Sequence, residues 1–131
     1  RSKEAAVLGG PGFQTLFFVD DLLSQYRGAA NTKTLERLFY QGRHFGLTVM
    51  ILSQSFRTAI SPIIRRQFSH IAIWPGQPAE VEAVREEVGG DPKVFDEAFS
   101  IATKKPHAFL WIRLGNPPEY FSSFTKAIVR A

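Results

Sequence analysis

The sequence predicts an α/β domain in which helices pack on a mostly parallel sheet. Two observations carry this prediction: segments of strand and helix character alternate along the chain, and the strand segments are continuous apolar runs. Continuous hydrophobicity is what a strand buried on both faces of a parallel sheet requires. With 131 residues, of which 44% are hydrophobic, the chain is long enough to bury one modest core.

The first two predicted strands enclose one predicted helix. Residues 15–19 form an apolar run that ends at a pair of acids, and residues 47–52 form a second run that ends in a Ser-Gln-Ser stretch. Between them, apolar residues at i, i+3 and i+4 spacing predict an amphipathic helix over about 33–44.

The later predicted elements are bounded by Pro and Gly residues. They are a short helix over 62–68, a strand over 70–74, helices over 78–88 and 92–102, and a strand over 107–114. Residues 120–129 are compatible with a further strand or with a terminal helix. The apolar runs place Trp74 and Trp111 in the core, and His70 and His107 at strand starts with ordinary hydrogen bonds.

Positive charge is concentrated in one stretch of the chain. The formal net charge is +4, and between Arg27 and Arg66 seven basic residues face a single acid, Glu36. Such a block favours a polyphosphate partner, either a nucleic acid backbone or a nucleotide. A solvated basic face is an equal alternative.

The composition excludes several kinds of site. The chain has no cysteine, which removes disulfides, thiolate metal sites and cysteine nucleophiles, and none of its three scattered His residues forms a His-x-x-x-His pair. No apolar run approaches the ~20 residues that a bilayer-spanning helix needs, which predicts a soluble protein.

The first motif with chemical potential is Asp20-Asp21, which follows four apolar residues in the Walker B pattern. A buried strand holds its own end rigidly. Asp20 can therefore hold the water shell of a Mg²⁺ ion that bridges nucleotide phosphates, and Asp21 can polarise an attacking water. The alternative is a strand that ends in a turn with two solvated carboxylates.

The second motif is Ser53-Gln54-Ser55, at the end of the next apolar strand. Ligands of open α/β sheets bind outside the carboxyl ends of the strands, where these side chains and the two acids would project together. A polar residue at this position can lie beside a γ-phosphate and orient the attacking water. A plain Ser/Gln loop is the alternative.

Two segments carry arginines that could serve a phosphate. Arg43 and His44 lie between two glycines at the end of the first helix, and Arg65 and Arg66 follow Pro62 in a short turn. A guanidinium group can stabilise charge on a phosphate, including one bound by a neighbouring subunit. A surface or salt-bridge role is the alternative for each.

The order of these motifs resembles the FtsK–HerA superfamily of P-loop ATPases. The resemblance rests on an apolar strand with two Asp, a Gly-Arg-His-Phe-Gly stretch, an apolar strand with Ser-Gln-Ser, and a Pro-Ile-Ile-Arg segment. It covers about residues 15–75 and is closest to the genome-packaging ATPases of large eukaryotic DNA viruses and related membrane-containing viruses. It implies a three-layer P-loop NTPase fold of the RecA/FtsK–HerA type.

The resemblance also implies roles for individual residues. Asp20 and Asp21 would form the Walker B site, with Asp20 on the Mg²⁺ side. Gln54 would be the sensor with Ser53 beside it, and Arg65 would be the arginine finger. ATP and Mg²⁺ are the implied cofactors.

Three further arginines are candidates, Arg43 from the resemblance and Arg57 and Arg66 from their positive charge. Arg43 lies in the Gly-Arg-His stretch beside the nucleotide, and Arg57 and Arg66 are candidates to contact the DNA backbone without reading its sequence.

The sequence departs from the family in lacking a phosphate-binding loop. No segment matches Gly-x-x-x-x-Gly-Lys-Ser/Thr, and the glycine-rich stretch 9–12 has neither the Lys nor the hydroxyl residue. We therefore expect residues 13–131 to be the C-terminal portion of an ATPase domain that lacks its P-loop strand, with residues 1–12 as a linker or scar. Such a chain should bind ATP poorly alone and should self-associate through its exposed strands.

The implied function is that of a ring-shaped homo-oligomeric motor, of six subunits by analogy, that drives double-stranded DNA into a capsid. Capsid or portal-site proteins would be further partners, and the host cytoplasm or the virion the location. Two alternatives stay open: a cellular FtsK/HerA-like DNA translocase, and a non-catalytic DNA-binding or interaction module on an ATPase-like scaffold.

Overall fold

A computed structural model describes residues 15–20, 29–124 and 126–128. The chain divides into two compact units between Gln67 and Phe68. Both units combine helices with strands, which confirms a mixed fold of helices and sheets. No helix within the described ranges is long and apolar enough to cross a bilayer.

The first unit is built on two parallel strands. β1 (Thr15–Asp20) pairs with β2 (Leu47–Leu52) along its whole length. The chain between them forms α1 (Ala29–Gln41) and a 3-10 turn (Gly42–Phe45), and the single-turn helix α2 (Pro62–Arg65) follows β2. Parallel strands require a crossover connection, which α1 supplies. The predicted parallel pair with a helix between its strands is confirmed.

A close approach of the backbone to β2 explains the glycine after α1. A Cβ atom on Gly42 would lie 3.2 Å from the side chain of Leu47, which is closer than ordinary packing allows. The α-helix ends at Gln41, earlier than the predicted end at His44, and the chain continues in the 3-10 turn before the strand.

The second unit contains two helices and an antiparallel sheet. The helices are α3 (Pro78–Val88) and α4 (Pro92–Ala102). The sheet has the strand order β3-β4-β5-β6, formed by His70–Ile73, Leu110–Arg113, Glu119–Ser122 and Lys126–Ala127.

This sheet corrects the prediction of a mostly parallel arrangement. All its neighbouring strands run antiparallel, so that parallel pairing is confined to β1 and β2 among the described strands. The connection from β4 to β5 spans only residues 114–118, and a link this short returns the chain alongside itself, whereas a parallel neighbour needs about a dozen residues or more. Of the two alternatives for 120–129, the strand is correct.

The core of the second unit lies between α4 and one face of its sheet. Phe95 on α4 and Leu110 and Ile112 on β4 are fully buried, and Tyr120 on β5 is 7% exposed. The rings of Phe95 and Tyr120 meet edge to face with centroids 6.1 Å apart. Along β4 the buried residues Leu110 and Ile112 alternate with the less buried Trp111 and Arg113, as expected for an antiparallel sheet with one face on the core.

Aromatic side chains occupy the opposite face, which corrects the placement of Trp74. Its side chain is 45% exposed, because it follows the last residue of β3 and leans on Phe109. Its indole Nε1 donates to the carbonyl of His107, which lies in a loop three residues before β4 and so is not at the strand start. His70 does begin β3, where it stacks on the partly buried Trp111 with centroids 5.0 Å apart.

Candidate functional site

The candidate site lies at the carboxyl end of the parallel pair β1–β2. The residue pairs run in register from Thr15 and Leu47 to Asp20 and Leu52. Both strands therefore end at the same edge of the pair. Ser53 is the first residue after Leu52, which pairs with Asp20. A carboxylate from one strand and a polar turn from the next share this edge.

The carboxylate at this edge is open to its surroundings. Asp20 is exposed, while Val19 immediately before it is buried in the unit, so the strand is anchored one residue short of its tip. Asp21 lies outside the described residues, and its predicted role as the residue that activates water stays a prediction.

The turn after β2 is closed by one serine. The hydroxyl of Ser53 donates to the carbonyl of Ser55 over 2.8 Å and accepts from the Ser55 amide over 3.2 Å. The backbone is thereby fixed on both sides of Gln54, whose side chain is exposed. Serine hydroxyls hold turns of this kind by satisfying local backbone groups.

The segment that follows brings Arg65 back toward the turn. Ser61 caps α2 by accepting from the Ile64 amide, and Pro62 occupies the first helical position, where its fixed φ is favourable. The guanidinium carbon of Arg65, at the end of α2, lies 5.7 Å from the ring centroid of Phe56. This is within the range of a cation–π contact.

The remaining arginine candidates are placed less specifically. Arg57 and Arg66 are exposed on the first unit. Arg43 lies in the 3-10 turn, and its side chain is outside the described part of the structure. The predicted roles of these three stay predictions.

The structure also contains contacts that the sequence interpretation missed. Ser61 donates to the Glu36 carboxylate on α1 over 3.3 Å, which ties α1 to the start of α2. The Ser-Pro pair at 61–62 was a readable capping signal, but nothing in the sequence indicated which partner the serine would find. The Phe56–Arg65 contact has no sequence signal, because it joins residues nine positions apart across a loop.

An open cavity of about 430 Å³ lies on the α1 surface. It is lined by Lys33, Thr34, Glu36, Arg37 and Tyr40. Two basic side chains one helical turn apart give it a partly basic wall. No group of three or more Asp, Glu or His side chains among the described residues is arranged to hold a metal ion.

Comparison with known structures places this fold. The chain resembles the genome packaging NTPase B204 from Sulfolobus turreted icosahedral virus 2 in its complex with ATP-gammaS (TM-score 0.59, 17% identity). It is similar to the AMP and AMPPCP complexes of the same protein (TM-scores 0.58 and 0.57, 19% identity for both).

Each match covers 82% of this chain and 51% to 53% of the NTPase chain, so this chain spans about half the length of the structures it resembles. No protein-family model and no curated protein sequence matches it. The likeness shows a fold shared with about half of that NTPase chain.

Proposed function

We propose that this chain is part of an ATP-driven motor that packages double-stranded viral DNA into capsids. The observation that carries the proposal is the shared edge of β1 and β2, at which Asp20 ends one strand and the turn that holds Gln54 follows the other. The fold that surrounds this edge is also that of a viral packaging NTPase solved with ATP analogues.

The residues at the edge have the chemistry that a Mg²⁺–nucleotide complex needs. Mg²⁺ prefers oxygen ligands and keeps several of its waters, so one exposed carboxylate, Asp20, is enough to orient the hydrated ion. When bound, the ion neutralises charge on the phosphates. Asp21 accepts a proton from the attacking water, and Gln54, steadied beside Ser53, contacts the γ-phosphate.

The arginines divide between nucleotide and DNA in this proposal. Arg65 stabilises charge on a nucleotide bound by a neighbouring subunit of a ring, and Arg43 lies beside the nucleotide of its own subunit. Arg57 and Arg66 contact DNA phosphates, which gives binding without sequence specificity. The proposed ring has six subunits, and its further partners are capsid or portal-site proteins.

A second candidate is a non-catalytic module that binds DNA on an ATPase-like scaffold. The absence of a Gly-Lys-Ser/Thr loop from the sequence favours it, because backbone amides and a lysine normally hold the phosphates. The pairing of an exposed acid with a sensor-like turn favours the motor, because DNA binding alone requires neither.

Calorimetric titration with Mg-ATP separates these candidates. The chain should be titrated alone and as a longer chain that includes its upstream coding sequence, each with an Asp20→Asn variant and with Glu97→Gln as a control on exposed charge. The motor requires that the longer chain binds and that Asp20→Asn weakens its Mg²⁺-dependent binding. If neither chain binds nucleotide while both bind duplex DNA, the motor is wrong and the DNA-binding module is supported.

A further inference from the structure

The segment from Ser53 to Arg66 connects two proposed functional residues through local contacts. Phe56 follows the serine-closed turn directly and is 9% exposed, so its ring is held in the interior of the first unit. The amide of Ile60 donates to the Phe56 carbonyl over 3.3 Å, which closes the next turn on the same residue. Phe56 therefore anchors the segment only two residues after Gln54.

The orientation of α2 depends on its first residue. A single helical turn has almost no stability of its own, so the groups that cap and hold it decide where its last residue points. Ser61 does both: it accepts from the Ile64 amide over 3.4 Å and donates to the Glu36 carboxylate over 3.3 Å. Ile64, 2% exposed, fixes the buried side of the helix.

Arg65 is held from both directions. The Ser61 cap fixes the helix in which the Arg65 backbone lies. The guanidinium carbon of Arg65 lies 5.7 Å from the Phe56 ring centroid. An arginine is long and has many rotamers, so contact with a buried ring confines it to a small part of its range. The turn around Gln54, the Phe56 ring and Arg65 thus form one contact chain, closed at its far end by Glu36 on α1.

We propose that Phe56 and Ser61 are positioning residues that fix Arg65 and couple it to the turn carrying Gln54. This rests on the proposed function, in which Gln54 senses a γ-phosphate and Arg65 acts on a neighbouring nucleotide. A displacement of the sensor turn moves the ring, and the guanidinium that lies on the ring moves with it. The coupling joins the nucleotide state of one subunit to the arginine that it offers to the next.

The contact can be measured in this chain without nucleotide. The readouts are the NMR signal and the solvent exchange rate of the Arg65 Nε–H group, with the backbone amide of Gln54 as the second probe. Phe56→Leu keeps an apolar side chain but removes the ring, and Phe56→Tyr restores a ring. Ser61→Ala removes the cap, and Ser61→Thr restores a hydroxyl. Phe124→Leu, in the other unit, is the control.

We expect Phe56→Leu to accelerate Arg65 Nε–H exchange about two- to fivefold, the ratio that corresponds to a cation–π contact at a partly exposed site. Ser61→Ala should also accelerate this exchange. The Arg65 exchange rates of Phe56→Tyr and Ser61→Thr should equal that of the Phe124→Leu control within error. Arg65→Gln should shift the Gln54 amide. A structural role of Phe56 alone would leave that amide unchanged.

Two results would overturn the inference: Arg65 exchange that is the same in the Leu and Tyr variants, or a Gln54 amide that is unaffected by Arg65→Gln. If Phe56→Leu does not fold, the comparison of Ser61→Ala with Ser61→Thr and the effect of Arg65→Gln on the Gln54 amide still test the inference. Because these readouts need no nucleotide, they can fail while the calorimetric titration succeeds, and the reverse also holds.

Discussion

Asp20 and Leu52 form the last residue pair of the parallel ladder, so the exposed carboxylate of one strand lies level with the residue before the Ser53 turn of the other. Two chain segments separated by 26 intervening residues, 21–46, are thereby brought to one edge by backbone pairing alone. An acid and a turn that share an edge can act on one ligand.

Replacement of Asp20 tests whether the shared edge performs catalysis. In a nucleotide-hydrolysing form of the protein, we expect Asp20→Asn to lower kcat about a hundredfold, because loss of a group that organises transition-state charge typically costs that much. Steady-state phosphate release measures it, with Glu97→Gln on the exposed side of α4 as the control. Equal turnover by Asp20→Asn and the control would remove Asp20 from the site.

Replacement of Gln54 should affect the rate of hydrolysis and the affinity for nucleotide differently. If its amide orients water beside the γ-phosphate, Gln54→Ala should lower kcat with little change in nucleotide affinity, because the contact matters most in the transition state. Parallel measurements of turnover and of Mg-ATP affinity check this. A variant that loses affinity and turnover in equal proportion would assign Gln54 to ground-state binding instead.

An apolar surface on the first unit predicts self-association. On one face of the β1–β2 pair, Leu16, Phe18, Met50 and Leu52 are each about half exposed, with fractions from 47% to 57%. Contiguous apolar surface of this kind favours association. We expect sedimentation velocity to show species larger than the 14.7 kDa monomer, and Phe18→Ser with Met50→Ser to reduce them. Thr48→Ser on the same face is the control, and a monomeric wild-type chain would contradict the prediction.

The sequence was sufficient where local pattern decides the outcome. The apolar run before Asp20 and the one before Ser53 each predicted a strand where one is observed, and their parallel direction is as predicted. The predicted burial of both faces is wrong for β1, in which Val19 alone is buried. Gly89, with its φ of 74°, ends α3 where the Gly-Gly pair predicted, because a left-handed residue is readily supplied by glycine.

The sequence was insufficient where distant segments choose their partners. An apolar run has the same composition whether its neighbour is parallel or antiparallel, so the direction of β4 could not be read from it. Trp74 is the last residue of such a run. Its ring is exposed because β3 ends one residue earlier, at Ile73, and the sequence does not indicate that end. The contact between Phe56 and Arg65 depends on the path of the intervening loop, which the hydrophobic pattern of the sequence does not predict.

Phe95 should dominate the stability of the second unit. It is completely buried and touches the rings of Phe99 and Tyr120. Truncation of a buried Phe leaves a cavity and typically costs about 3–5 kcal/mol, so Phe95→Ala should unfold at much lower urea concentration. Phe124→Ala, at a side chain that is 64% exposed, should cost about 1 kcal/mol from its lost ring contacts. Similar losses for both would mean that α4 does not pack as described.

Asp91 should contribute as the cap of α4. Its carboxylate accepts from the Lys93 amide over 2.9 Å, and Pro92 occupies the first helical position. Asp91→Ala should lower the free energy of unfolding by about 1 kcal/mol, the usual cost of a lost cap. Asp91→Asn keeps a capping oxygen and should recover most of it. Urea unfolding of the three proteins at neutral pH makes the comparison, and equal stability of all three would contradict a capping role.

Tyr120 should make the second unit sensitive to alkaline pH. Burial, together with the negative charge of Asp91, raises the pKa of its phenol above the ordinary value of about 10. The folded state thus retains a proton that the unfolded state releases, so stability is complete below pH ~10 and falls as the pH rises toward the folded pKa. The buried hydroxyl has no hydrogen-bond partner among the described residues.

Tyr120→Phe should therefore cost little at pH 7 and should reduce the loss of stability above pH ~10. Tyr40→Phe, at a side chain that is 57% exposed, is the matched control and should leave the alkaline loss unchanged. Asp91→Asn should lower the Tyr120 pKa, because it removes the charge while keeping the cap. Thermal unfolding across this pH range, with ultraviolet titration of the phenol, measures both effects. Equal alkaline losses in the two Phe variants would show that Tyr120 ionises no later when folded than when unfolded.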